Sequence, residues 1–92
     1  MNFFSGESLT WSQSDSTLYI DWSNIFNAAD LVYQVYIGSM EGASDFIVGL
    51  ETNDTKLSFT SNKIDAISEV HCVIIGISKA GIDSTFRETL FF

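Results

Sequence analysis

His71 and Cys72 stand side by side, and a thiol next to an imidazole is the pairing that a cysteine nucleophile needs. They are the only histidine and the only cysteine of the chain. Both lie in VHCVIIGIS, an apolar run that reads as a β-strand. Neighbouring strand residues point to opposite faces, so the two groups do not meet within one chain. Cys72 shares its face with Val70 and Ile74, where a buried thiol is inert. His71 is expected as an exposed strand residue. One histidine and one buried cysteine also fall short of a tetrahedral zinc site.

Carboxylates supply the other chemistry to weigh. Calcium takes six or more oxygens from clustered acids, and the candidates are Asp45, Glu51 with Asp54, and Asp65 with Glu69. None follows the EF-hand spacing, and ETND bears only a faint likeness to a cadherin calcium motif. These acids read as solvated loop carboxylates, so no metal is expected. Gly38, Gly42 and Gly49 fit neither a P-loop nor a dinucleotide fingerprint, and there is no Gly-x-Ser-x-Gly. A paired-carboxylate glycosidase needs a cleft deeper than a domain this small offers. The chain is therefore read as non-catalytic and without a cofactor. Asn53-Asp54-Thr55 is an N-x-[ST] sequon, which makes Asn53 a glycosylation candidate in a secreted setting.

The elements that carry these residues follow from period-2 alternation. Leu9 and Trp11 alternate with Ser and Thr, and after SQSDS the residues Leu18, Ile20 and Trp22 alternate with Tyr19 and Asp21. LVYQVYIGS puts Tyr33, Val35 and Ile37 on one face and Val32, Gln34 and Tyr36 on the other. FIVGLE, KLSFT, VHCVIIGIS and TFRETLFF complete seven strand candidates separated by polar turn residues. That rhythm predicts an all-β antiparallel sandwich. NKIDAISEV is expected as a crossing between sheets with at most one helical turn, and Ala80-Gly81 as a turn.

Length and composition agree with a single domain spanning 1–92, since 92 residues bury one core and not two. A net charge of −8 repels phosphate backbones and anionic membranes, which argues against nucleic acid as a partner. No apolar run is long enough to span a bilayer, so no membrane insertion by this segment is expected. A lone cysteine permits no internal disulfide and leaves the compartment open. MNFFSGES has neither the basic nor the apolar region of a signal peptide. The apolar end LFF is read as the boundary of a domain excised from a larger protein.

The order of Trp22, then YQVYIGS, then VHCVIIGISKAG resembles a fibronectin type III domain, over roughly residues 8 to 92. In that family a tryptophan ends strand B, Tyr-x-Val lies in strand C, and strand F runs to a small residue, a polar residue and a glycine turn. Gly76, Ser78 and Ala80-Gly81 match the last three, and Ile64 matches the residue that plugs the sandwich ahead of strand F. The resemblance implies a seven-stranded antiparallel immunoglobulin-like β-sandwich, and an extracellular or cell-surface setting in a multidomain protein. The chain departs from the family at the missing proline before the first strand and at Val70, which stands where a corner tyrosine is usual. It contains no Arg-Gly-Asp, so integrin binding through that tripeptide is not implied.

In that arrangement strands C and F are neighbours, and their outward residues are Val32, Gln34, Tyr36, His71, Val73, Ile75 and Ile77. Three β-branched residues in a row beside Tyr36 exceed the scatter of apolar residues normal on a surface. Ile47 is expected to flank them. Full desolvation of four or five such side chains is worth on the order of 6–10 kcal/mol gross. The leading expectation is a non-catalytic interaction or spacer module, with this face against a neighbouring domain or a second copy. The alternatives are an accessory domain of a larger enzyme such as a glycosidase, or a carbohydrate-binding module using exposed Trp11 or Tyr36.

Overall fold

The computed structural model describes residues 8–26, 30–40, 45–81 and 83–92. The MNFFSGE start, on which the signal-peptide reading rests, lies outside them. Among the described residues there are seven strands: β1 (Thr10–Ser14), β2 (Thr17–Asp21), β3 (Val32–Gly38), β4 (Ile47–Thr52), β5 (Lys56–Thr60), β6 (Glu69–Ile77) and β7 (Asp83–Phe91). They form two antiparallel sheets, one of three strands in the order β1-β2-β5 and one of four in the order β4-β3-β6-β7. The crossing from β5 to β6 contains a single 3-10 turn, Asn62–Ala66, capped by Ser61, whose hydroxyl accepts the Lys63 N–H.

Alternation dictates which residues become core. Leu18, Ile20 and Trp22 from one sheet meet Tyr33, Val35, Ile37, Val70, Cys72, Ile74 and Leu90 from the other, all buried, with Ile64 closing one end from the crossing. Val70, where the resemblance leads one to look for a corner tyrosine, is itself fully buried. Trp22 lies edge-on to Tyr33 at a centroid distance of 5.6 Å, and Tyr33 packs on Phe26 at 5.4 Å. The Trp22 indole N–H has no hydrogen-bond acceptor among the described residues, a cost that the ring's packing has to offset. Gly76 is what admits Phe26 and Leu31 to this end of the core. A Cβ there would stand 2.9 Å from Phe26 Cε1 and 3.2 Å from Leu31 Cδ1.

Polar side chains fix the connections. The β1–β2 turn has two central residues, Asp15 and Ser16, both at positive φ (52° and 61°), as a two-residue hairpin of right-handed twist requires. Ser16 is not glycine, but its hydroxyl donates to the Asp65 carboxylate and so ties the hairpin to the crossing turn. The Asp21 carboxylate accepts the Ser23 N–H at 2.8 Å where β2 ends, and this bond, with Lys56 nearby, holds its pKa below the ordinary aspartate value of 3.8. Asp45 closes the β3–β4 loop by accepting from both the N–H and the hydroxyl of Ser39, each at 2.8 Å, and its pKa is lowered for the same reason.

A β-bulge sets the register of β4. Ile37 pairs with Ile47 and Val35 with Leu50, so Val48 and Gly49 together oppose Tyr36, with Gly49 at φ 63°. Ile47 therefore joins the core side of the sheet and packs against the buried cluster. This corrects the expectation that it flanks the outer face, which assumed unbroken alternation.

Gly76→Ala is expected to lower stability by about 1–3 kcal/mol through overpacking, read as a fall in the thermal midpoint. Acid should also weaken the fold. Asp21 and Asp45 bind protons less readily folded than unfolded, so their stabilisation is complete above the ordinary aspartate value and is lost as pH falls through the lower folded values. Asp21→Asn keeps an oxygen for the Ser23 N–H but cannot titrate. Its midpoint should drop less than that of the native chain between about pH 6 and about pH 2.5.

Candidate interaction face

The pairing of β3, β6 and β7 puts the outward residues in transverse rows. Val32 stands opposite Ile77 and then Asp83; Gln34 opposite Ile75 and then Thr85; Tyr36 opposite Val73 and then Arg87. Gly38 faces His71 and then Thr89, and Glu69 faces Phe91 at the end. All seven residues singled out from the alternation thus occupy one side of one sheet. Glu51, across from Gln34, extends it on the β4 side.

The face is apolar along its middle and charged at its rim. Val32 is exposed, whereas Tyr36, Val73, Ile75 and Ile77 are half-buried, because β-branched neighbours in register shield one another. The Tyr36 ring lies over Gly49, whose missing side chain makes room for it: a Cβ there would stand 3.4 Å from the phenol oxygen. Glu51, Glu69, Asp83 and Arg87 supply the rim. Phe91, 69% exposed, adds an apolar end that the alternation of TFRETLFF shows only once β7 is known to put its odd-numbered residues outward.

His71 is less open than expected, with 18% of its side chain accessible. Nε2 lies 2.6 Å from Glu69 Oε2 and Nδ1 lies 3.0 Å from the Thr89 hydroxyl, so neighbours on its own strand and on β7 hold both ring nitrogens. Cys72 points the other way, into the core, and burial followed by the Glu88 carboxylate across the ladder pushes its pKa up to about 12. Glu88 faces inward on β7 and accepts the Leu9 N–H at 2.9 Å, a charge pointing inward from an edge strand.

The remaining carboxylates are dispersed. Asp45 is taken by Ser39, Asp65 by Ser16 and Gln13, and Glu69 by His71. Among the described residues no three metal-ligating side chains converge. Asn53 is exposed in the β4–β5 turn. Among the described residues no helix is long and apolar enough to cross a membrane. Two rings, Trp11 and Tyr36, are the expected sugar platforms of the carbohydrate-binding alternative, and both are half-buried. Trp11 faces inward at the core's edge and leans on Phe92 at 5.6 Å, and Tyr36 is half-buried over Gly49. On the outside of the three-stranded sheet the strands carry one exposed ring, Tyr19, 49% accessible and out of phase with Leu18 and Ile20.

Comparison with known proteins finds no matching family model, no matching curated protein and no matching solved structure.

With its pKa raised to about 12, Cys72 should resist a thiol-specific disulfide reagent at neutral pH in the native state. It should then react in step with global unfolding as denaturant is added. Rapid labelling of the folded chain would contradict this placement of the thiol.

Proposed function

We propose that the chain is a non-catalytic, fibronectin type III-like module, and that the outer face of β3 and β6 packs on a neighbouring domain of a larger polypeptide. The fibronectin type III reading rests on the motifs around Trp22, Tyr33 and Gly76 and on a strand order of three plus four. The observation that carries the interaction reading is the register that aligns Val32 with Ile77, Gln34 with Ile75 and Tyr36 with Val73.

Magnitude chooses among partners. Half-buried side chains leave roughly half of their transfer energy to gain, on the order of 3–5 kcal/mol gross for the patch. Two free molecules lose about that much or more in translational and rotational freedom on associating. A tethered neighbour at millimolar effective concentration does not face that full cost. The face therefore suits a covalently linked domain better than a second free copy. An extracellular setting follows from the family resemblance alone, and there the exposed Asn53 would be open to glycosylation.

The double change Val73→Lys with Ile75→Glu separates these outcomes. The isolated chain is expected to sediment as a monomer at micromolar concentration with or without it. Joined to its flanking polypeptide, the variant should lose several degrees more in unfolding temperature than the isolated variant does. Equal losses in both contexts would remove the case for a docked neighbour.

A further inference from the structure

The three-stranded sheet turns a different surface outward. Its transverse rows are Ser14–Thr17–Thr60, Ser12–Tyr19–Ser58 and Thr10–Asp21–Lys56. In the first row the Thr17 and Thr60 hydroxyls bond to each other at 2.8 Å. Between the second and third rows runs a channel of about 560 Å³ that crosses all three strands, with Tyr19 on one wall and Asp21 and Lys56 on the other. Asp54 stands at one end. The floor is formed by Trp11, Ile20 and Leu57, whose side chains point inward, so they present main chain to the channel.

Three features define what fits there. Both cross-strand neighbours of Tyr19 are serines, so nothing bulky stands beside the ring within its row. Among the described residues the Asp54 carboxylate, the Lys56 ammonium and the Ser12 and Ser58 hydroxyls make no intramolecular hydrogen bond, and Lys56 makes no ion pair. Finally, β2 is hydrogen-bonded to β1 on one side and to β5 on the other, so its main chain has nothing left to offer an added strand.

We propose that this channel binds a short neutral oligosaccharide, with Tyr19 as the stacking platform and Asp21, Asp54, Lys56 and the serine hydroxyls bonding to its hydroxyl groups. The chemistry matches at each point. The C–H face of a sugar ring packs on an aromatic face, and sugar hydroxyls serve both as donors to carboxylates and as acceptors from an ammonium. Three strands spaced at about 4.8 Å give the channel the reach of a di- or trisaccharide. The protein's charge of −8 and two carboxylates against one lysine disfavour acidic glycans. An extended peptide would look for the edge pairing that β2 has already spent.

The test is affinity electrophoresis of the whole chain in native gels cast with soluble neutral polysaccharides: mixed-linkage β-glucan, hydroxyethyl cellulose, xylan, galactomannan and glycogen. Slowed migration in at least one gel is expected. Tyr19→Ala should abolish it with an unchanged circular dichroism spectrum, since Tyr19 is a surface residue. Tyr36→Ala, on the opposite sheet, should leave it intact. Unretarded migration in all five gels would overturn the proposal, as would retardation that survives Tyr19→Ala. Chemical shift changes at Tyr19 with an extended peptide but with none of the saccharides would also overturn it, and would assign the channel to peptide.

Discussion

Strand β6 is the constraint on which the rest depends. It is paired along its whole length, with β3 on one side and β7 on the other, so its backbone is fully spent inside the sheet. Its side chains are apolar on both faces. Val70, Cys72 and Ile74 go into the sandwich, and Gly76 leaves the gap into which Phe26 and Leu31 fit. The other face then cannot be the polar one that a solvated antiparallel sheet normally shows. Val73, Ile75 and Ile77 cover one another only in part, and the strand's position in mid-sheet fixes where they emerge.

The neighbouring strands accommodate that face through small devices. The bulge at Val48 and Gly49 shifts β4 by one residue, which returns Ile47 to the core side and opens a seat for Tyr36. On the other flank β7 keeps Glu88 inward, where its carboxylate meets the Leu9 N–H and discourages a foreign strand from pairing at the edge. Each device acts at a sheet margin, where the demands of pairing are weakest, and leaves β3 and β6 regular.

How much of this is legible without coordinates depends on the range of the interaction. Alternation locates the strands and sorts β3 and β6 into two faces, because side-chain direction in a strand is local. That the two strands are neighbours, and which face turns outward, comes from the sandwich arrangement. Ile25, Phe26 and Leu31, buried outside or before the alternating runs, carry no such signal. The bulge is half legible: a glycine inside FIVGLE marks an irregularity, but the side on which Ile47 lands depends on its pairing with Ile37. The bond from Ser16 to Asp65 and that from Leu9 to Glu88 join residues far apart in the chain, and no local pattern announces them. The shielding of His71 by Glu69 and Thr89 is hidden for the same reason, since Thr89 comes from another strand. Alternation with Leu18 and Ile20 marks Tyr19 as an outward residue, but its isolation among serines appears only when β1 and β5 take their places beside β2.

The two outer faces divide the molecule chemically. One is β-branched and rimmed with charge; the other is small, hydroxylated and carries a single ring. Packed sheets stand about 10 Å apart, so a partner seated on the four-stranded face does not reach the channel on the three-stranded one. Cover on one side therefore costs the other nothing. A domain held through β3 and β6 would still present Tyr19, Asp21 and Lys56 to solvent, and this separation lets loss of docking and loss of saccharide binding be observed independently.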